Sequence, residues 1–281
     1  MPRFRIVMLN STDIPLIRDN VTPLVITWNE EANLERTLAA LNWAHRIVMI
    51  DSGSTDHTLA IAAANPRVSV IHRPFEDFAS QCQFGLTQIE TEWALSLDAD
   101  YELSPNLVAE LATMHDDGVT AAYRARFVYR IYGRELRGSL YPPRTVLYRK
   151  ALAHYRADGH GHRVIIEGPI RNLEGVIYHD DRKPLARWFQ SQTKYAALEA
   201  KHLLASDSRA LSRADRIRLM AWPAPILVVA YALFVKRCLF DGWPGWFYAM
   251  QRLLAEVLLA LELVDQRLRN MNRKPIIKRN N

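Results

Sequence analysis

Short apolar runs alternate with stretches of helical periodicity over the first hundred residues. The runs are rich in valine and isoleucine and predict strands at residues 24–27, 46–51, 68–71 and 93–97. The stretches between them predict helices at residues 30–41, 55–64 and 77–89. Alternating strands and helices with short connections are typical of an α/β domain with a mostly parallel, Rossmann-like sheet. In such sheets, ligands bind beyond the carboxyl ends of the strands.

The pattern changes near residue 118, where aromatic and β-branched residues mix with arginine. Further strands are predicted at residues 121–132, 144–149 and 175–179, and a helix at residues 187–205. Residues 1–22 have a mixed composition and end at Thr22-Pro23, which indicates a leader outside the core. The sequence therefore predicts a leader at 1–22, an α/β domain at 23–205 and a helical region at 206–281.

Two apolar segments follow in the helical region. Residues 219–235 carry no charge, but Pro223 and Pro225 interrupt their start, and the helix that remains is too short to span a bilayer. Residues 243–264 are amphipathic, with apolar side chains at helical spacing. We favour a pair of helices that lie in the cytoplasmic leaflet. The alternatives are two packed core helices of a soluble domain, or one spanning segment.

Charge and composition support a membrane surface as a partner. The 281 residues include 36 basic and 30 acidic ones, a net charge of +6, and residues 201–281 alone hold 14 basic against 6 acidic ones. Because the basic residues flank apolar stretches, an anionic membrane is favoured over nucleic acid. Two cysteines exclude a disulfide framework, and the N-terminus lacks the apolar run of a secretory signal. We expect a peripheral or monotopic protein at the cytoplasmic face of the inner membrane.

Three polar clusters each follow a predicted strand, at residues 27–33, 51–56 and 98–100. The first could bind an anion with the free N–H groups of a helix start, or simply cap that helix. In the second, Asp51 could accept hydrogen bonds from a base or ribose, or belong to an ordinary turn. The third, Asp98-Ala99-Asp100, places two carboxylates on one loop, where they repel each other unless a cation lies between them. Hard divalent cations favour such oxygen ligands.

The order and spacing of Asn29-Glu30-Glu31, residues 51–56 and Asp98-Ala99-Asp100 resemble those of family 2 glycosyltransferases of the GT-A fold. Within that family the chain is similar to bacterial lipopolysaccharide-core β-glucosyltransferases. The shared features include Tyr141-Pro142, Tyr178-His179 and the sequence FDGWPG at residues 240–245.

The resemblance implies inverting, metal-dependent transfer of a hexose, with glucose from a UDP-linked donor expected, to a hydroxyl of a lipid-linked glycan such as lipopolysaccharide core. Asp100 would bind Mg²⁺ or Mn²⁺ directly, and Asp98 would contact the ribose or the metal-bound diphosphate. In many relatives an acidic residue follows this pair directly, whereas here the residue is Tyr101. The resemblance places nucleotide-sugar contacts at Thr27, Asn29, Glu31, Asp51 and Asp98, and the charged cluster described below adds Arg182 as a candidate.

The catalytic base is not given by the resemblance, because Arg163 stands where the relatives carry an acid. Asp158 and His162 are therefore the candidates, with Glu167 in reserve, and His162 could instead complete the coordination of the metal. The cluster at residues 179–183 could bind diphosphate through Arg182 and its neighbour Lys183, or cap the helix that follows.

Three other functions compete with a glycan glycosyltransferase. A polyprenyl-phosphate glycosyltransferase is the alternative, and it would need no base because its phosphate acceptor is already ionised. A nucleotidyltransferase is disfavoured because residues 27–33 contain no glycine for a phosphate loop. A non-catalytic membrane scaffold is disfavoured because Asp98 and Asp100 are both present. The sequence leaves the sugar, the acceptor and the oligomeric state open.

Overall fold

The computed structural model describes residues 16–158, 161–207, 209 and 211–273, and for residues 158, 162, 272 and 273 it describes the backbone alone. The strands of this part are β1 (Val21–Thr27), β2 (Ile47–Asp51), β3 (Val68–His72), β4 (Trp93–Asp98), β5 (Tyr101–Leu103), β6 (Ala122–Ile131), β7 (Arg134–Glu135), β8 (Arg144–Arg149), β9 (Ala153–Asp158), β10 (Gly161–Ile166) and β11 (Ile170–His179). The helices are α1 (Leu34–Ala39), α2 (Thr58–Ala63), α3 (Phe78–Thr87), α4 (Pro105–Thr113), α5 (Leu185–Ala205), α6 (Arg213–Leu219), α7 (Pro223–Ala230) and α8 (Trp243–Arg273).

These elements form two compact units. Among the described residues, the first comprises residues 16–128, 141–157 and 162–181, and the second comprises residues 129–140, 158, 161, 182–207, 209 and 211–273. The grouping differs from the predicted boundary at residue 205, because α5 packs against α8 and so belongs with the C-terminal helices. Strand β1 also begins two residues before the predicted domain start at Pro23.

The core of the first unit is a sheet with the strand order β3-β2-β1-β4-β8-β6-β11-β5. Strands β1 to β4 are parallel to one another, and every residue of β1 and β2 is buried. Burial on both faces explains why these strands are continuous apolar runs rather than alternating ones. A helix of this layer approaches β1 closely at Gly85, where an added Cβ would lie 2.5 Å from a methyl carbon of Leu24.

The α/β class is confirmed, but the sheet is mixed rather than mostly parallel. Strand β8 is antiparallel to β4 and to β6, and β5 is antiparallel to β11. The reason lies in the connections: parallel neighbours need a crossover of a dozen or more residues, usually through a helix. In the described residues, no α-helix lies between β6 and β11, so the strands in this part of the chain are not joined by helical crossovers.

The second unit is built around the long helix α8. An ion pair joins α6 to it, with Nη2 of Arg218 2.7 Å from Oε1 of Glu256. The hydroxyl of Tyr248 accepts a hydrogen bond of 2.7 Å from the backbone N–H of Leu140. The start of α8 requires Gly245, because an added Cβ there would lie 1.8 Å from the carbonyl oxygen of Cys238. This close approach gives a physical reason for a glycine at the end of the FDGWPG sequence.

The uncharged segment at residues 219–235 is divided rather than continuous. Helix α6 ends at Leu219, α7 begins at Pro223, and Tyr231–Val235 form a π-helical turn. Across the described residues, no helix combines the length and apolar character that crossing a membrane requires.

Candidate functional site

Two of the predicted nucleotide contacts lie side by side where β1 and β2 end. Thr27 pairs with Asp51 in the strand register. The carboxylate of Asp51 is buried and accepts hydrogen bonds from the backbone N–H groups of Gly53 (2.9 Å) and Ser54 (3.0 Å). Gly53 has a φ of +92°, which a residue with a side chain adopts only with strain. The carboxylate of Asp51 therefore stabilises the turn that follows β2. Its contact with a base or ribose stays a prediction.

The hydroxyl of Thr27 is buried and makes no hydrogen bond within the described residues. Buried polar groups are normally paired, so this oxygen is an exception at the edge where a nucleotide was predicted. Its role in the donor pocket stays a prediction.

Asn29 and Glu31 connect the first polar loop to the second. The side-chain oxygen of Asn29 accepts hydrogen bonds from the N–H groups of Thr55 (2.6 Å) and Asp56 (3.3 Å). The carboxylate of Glu31 accepts one from the N–H of His57 at 3.0 Å. These side chains hold two loops together, which sequence reasoning did not foresee, and nucleotide contacts by them stay predictions.

The acidic pair lies at the end of β4, the strand next to β1. Asp98 pairs with Ile26 in the register, and Asp100 follows in the turn before β5. His179 lies at the end of β11, and its Nε2 is 3.2 Å from Oδ2 of Asp100. Burial of the imidazole lowers the pKa of His179, but the nearby carboxylates, that of Asp100 first, outweigh this and raise the pKa above its usual 6.5.

An aromatic cluster packs beside the acidic pair. Tyr101 contacts Phe127, Tyr141 and His179 at ring-centroid distances of 4.9, 6.4 and 5.2 Å. The hydroxyls of Tyr101 and Tyr141 share a hydrogen bond. Tyr101, which directly follows the acidic pair, is thus a packing residue.

Arg144, at the start of β8, was missed by the sequence reasoning. Its guanidinium carbon lies 4.7 Å from the ring centroid of Tyr141, and Nη1 donates a long hydrogen bond of 3.5 Å to the hydroxyl of Tyr101. Burial lowers the pKa of Arg144, but the two tyrosines and the two aspartates together raise it above its usual value. The family resemblance included the neighbouring pair Tyr141-Pro142, but it did not indicate where Arg144 lies.

The acidic pair suits a divalent cation of the kind that keeps water and phosphate ligands. Mg²⁺ is commonly held by one or two carboxylates plus substrate phosphates rather than by a cage made of protein alone. No group of three or more histidine, cysteine or acidic side chains in the described residues is arranged to hold a metal. If Asp98 and Asp100 hold such an ion, a phosphate-bearing ligand would have to supply further ligands.

The charged cluster after β11 has a different role from helix capping. Helix α5 has Pro184 as its N-cap and no capping side chain, so the capping alternative is wrong. Instead, Asp180 is buried and its carboxylate lies 3.2 Å from Nη1 of Arg36, which fastens this loop to α1. Arg182 begins the second unit, and its diphosphate role stays a prediction.

The two candidate bases lie on the β9–β10 hairpin, which the sequence reasoning did not predict. Asp158 ends β9 and His162 is the second residue of β10, and their side chains lie outside the described part of the structure. The reserve candidate, Glu167, is exposed directly after β10. The structure thus leaves the choice of base, and a metal contact by His162, as predictions.

A family model described as "Glycosyl transferase family 2" matches residues 24–167, which is half of the chain and includes both polar loops, the acidic pair and the hairpin. The chain belongs to this glycosyltransferase family. An uncharacterised glycosyltransferase of Rickettsia prowazekii is 25% identical over 268 residues, covering 90% of this chain and 89% of the relative. The lipopolysaccharide core biosynthesis glycosyltransferase LpsC of Rhizobium meliloti is 29% identical over 206 residues, covering 67% and 73%.

Two solved structures show a more distant likeness. Residues 1–349 of S. aureus TarS in complex with UDP-GlcNAc have a TM-score of 0.46 at 16% identity, covering 90% of this chain and 92% of that fragment. Glucosyl-3-phosphoglycerate synthase of Mycobacterium tuberculosis, in complex with Mn²⁺, UDP and glucosyl-3-phosphoglycerate, has a TM-score of 0.41 at 18% identity, covering 67% and 81%.

Proposed function

We propose that this glycosyltransferase transfers a hexose, glucose in the first instance, from a UDP-linked donor to a hydroxyl of a lipid-linked glycan, with inversion and with Mg²⁺ or Mn²⁺. The observation that carries the proposal is the acidic pair at the end of β4, with Nε2 of His179 3.2 Å from Oδ2 of Asp100. The similarity to LpsC supports lipopolysaccharide core, or a related cell-envelope glycan, as the acceptor.

Asp98 and Asp100 would hold the divalent ion against the donor diphosphate. When bound, the ion supplies Lewis-acid stabilisation of the charge that develops on the departing diphosphate. Asp51 and Thr27, at the ends of the neighbouring strands, are in the position expected for contacts with the nucleoside.

Inversion by a single displacement requires a base that takes the acceptor proton on the face opposite the leaving group. Asp158 or His162, both on the β9–β10 hairpin, would perform this step. We favour Asp158, because the matching group in relatives is a carboxylate.

An apolar surface of the second unit supports action at a membrane. We define the α7 patch as the six exposed side chains of residues 222–235, all of them apolar: Trp222, Ile226, Leu227, Tyr231, Phe234 and Val235. Trp222 is 72% exposed and Phe234 is 66% exposed. A contiguous apolar surface of this kind commonly marks a protein or membrane interaction site.

Charge favours an anionic lipid surface as the partner of the α7 patch. Arg213, Arg216 and Arg237 flank the patch, are exposed, and make no ion pair within the described residues. The acidic neighbours Asp215 and Asp241 are already bound to arginines of the same unit. Exposed cations beside an apolar surface that includes Trp222 and Tyr231 match the headgroup region of an anionic leaflet. We therefore propose peripheral attachment to the cytoplasmic face of the inner membrane.

A donor and acceptor screen tests the proposed activity. The protein is incubated with UDP-, GDP- and dTDP-hexoses and Mn²⁺, with lipopolysaccharide core or polyprenyl phosphate as acceptor. We expect UDP-hexose turnover onto the glycan, and NMR of the product should show a β linkage from the α-linked donor. Turnover onto polyprenyl phosphate alone would contradict the acceptor, and a retained α linkage would contradict inversion.

Vesicle flotation tests the membrane surface separately from catalysis. Trp222→Ser with Phe234→Ser should lower binding to anionic vesicles by at least about tenfold, since burying one large apolar side chain contributes roughly 1.5–3 kcal/mol. Leu261→Ser with Leu268→Ser, a matched pair of exposed apolar residues on α8, should change binding less than about twofold. Equal losses in both pairs, or a stable dimer without lipid, would contradict a bilayer at the α7 patch.

A further inference from the structure

Arg144 and Asp98 lie on neighbouring strands of the sheet. Strand β8 runs antiparallel to β4, with Leu147 opposite Leu95 and Tyr148 opposite Ala94. Arg144 lies three residues before Leu147 and Asp98 three residues after Leu95, so an unbroken register would bring the two opposite each other. A chain of contacts joins the same residues: Arg144 stacks on Tyr141, the ring of Tyr141 lies 4.9 Å from that of His179, and His179 lies 3.2 Å from Asp100.

Two tyrosines fix the arginine in this position. Its guanidinium stacks on Tyr141 and donates a long hydrogen bond to Tyr101. Within the described residues the guanidinium forms no ion pair, so no carboxylate contacts it directly.

Most of the hydrogen-bonding capacity of Arg144 remains unused. A guanidinium has five N–H donors, and the long bond to Tyr101 is the one hydrogen bond that Arg144 donates within the described residues. Stacking on the ring of Tyr141 covers one face of the guanidinium but leaves its N–H edge available. That edge matches phosphate oxygens, which arginine binds in a bidentate manner.

Net charge favours a further anion near Arg144. A divalent ion held by Asp98 and Asp100 would cancel their two negative charges, and Arg144, which has no ion pair within the described residues, would then have no counter-charge. A diphosphate group supplies the missing negative charge. We propose that Arg144 is a second, permanently charged binding group for the diphosphate of the nucleotide donor, positioned by Tyr141 and Tyr101.

This inference rests on the proposed function, and it predicts two effects of opposite sign. Arg144→Gln should weaken UDP binding in excess Mn²⁺ by about ten- to a hundredfold, because a hydrogen bond to a charged group is worth roughly 1.5–3 kcal/mol. The same variant should bind Mn²⁺ alone several-fold more tightly, since a like charge near the ion is removed. Arg144→Lys, which keeps the charge but not the planar fork, should recover part of the UDP affinity.

Arg149 on the same strand provides the matched control. It forms ion pairs with Glu92 and Asp116 and stacks on Trp93, so its role is in packing. Arg149→Gln should lower the Tm and leave the two affinities nearly unchanged in the protein that stays folded.

Isothermal titration calorimetry tests this inference by measuring the affinities for Mn²⁺ and for UDP in the presence of Mn²⁺. The proteins compared are the wild type, Arg144→Gln, Arg144→Lys and Arg149→Gln. Weaker UDP binding together with tighter Mn²⁺ binding in Arg144→Gln supports the inference. Unchanged UDP affinity, or a parallel loss of both affinities, contradicts it while leaving the proposed function standing. A wild type that binds no UDP would overturn the proposed function and the inference together.

Discussion

Two regions at the same edge of the sheet use their polar side chains in different ways. At the ends of β1 and β2, Asn29, Glu31 and Asp51 accept hydrogen bonds from backbone N–H groups of the loop at residues 53–57. At the end of β4, Nε2 of His179 lies 3.2 Å from Oδ2 of Asp100, and Arg144 contacts the neighbouring Tyr101 and Tyr141. The side chains of the first region hold its loops together, whereas the second region brings a carboxylate, an imidazole and a guanidinium into one neighbourhood. We expect the second region, rather than the first, to bind an ion and a phosphate.

The largest effect is expected from Asp100→Asn. Loss of a direct metal ligand removes several kcal/mol of leaving-group stabilisation, so transfer should fall by on the order of a thousandfold. The substitution is nearly isosteric, and the Tm should stay close to that of the wild type. Hexose transfer and thermal unfolding are measured on the same preparation. Full activity, or wild-type activity undiminished by excess EDTA, would contradict the metal role.

An intermediate effect is expected at the hairpin. Removing the base should slow transfer by about 10²–10⁴-fold and spare UDP binding, because general-base catalysis contributes about that much. Asp158→Asn and His162→Ala are compared for turnover and for UDP affinity. Wild-type rates in both would move the base to Glu167, and an outright loss of nucleotide affinity in His162→Ala would instead favour a metal contact there.

The smallest effect on catalysis, with the clearest effect on stability, is expected at Asn29. Its φ of 54° suits glycine, so Asn29→Gly removes the side-chain hydrogen bonds without adding backbone strain. Two backbone N–H groups lose their acceptor, and the Tm should fall by about 2–6 °C. Asn29→Asp, which keeps an acceptor, serves as the control. A large loss of UDP affinity without any change in Tm would show that Asn29 binds the nucleotide rather than the loop.

The sequence predicted those parts of the fold that depend on local patterns. Strands β1 to β4 were predicted within a few residues because each is a short run rich in apolar residues and followed by turn residues. Strand β5 is three residues long, and the β9–β10 hairpin is formed from a glycine-containing stretch, so neither has a clear period. The mixed sheet was missed because strand direction depends on connections rather than on apolar periodicity.

In the candidate site too, features that depend on local sequence were predicted and contacts between distant parts of the chain were not. Asp98 and Asp100 were found because they are adjacent to one strand in the sequence. Arg144 was missed, and the contact of His179 with Asp100 was not foreseen, because both depend on the register between strands that are far apart in the chain. The capping interpretation of residues 179–183 failed for a related reason: Asp180 binds Arg36, a residue of a distant helix.

The central claim is that the acidic pair at the end of β4 holds the donor through a divalent ion. Calorimetric titration of UDP into the wild type and into Asp98→Asn and Asp100→Asn, each with Mn²⁺ and with EDTA, tests it most directly. The account predicts that wild-type affinity falls at least about tenfold in EDTA and that both variants bind UDP weakly whether or not Mn²⁺ is present. Equal UDP affinity for all three proteins, with and without the metal, would contradict it.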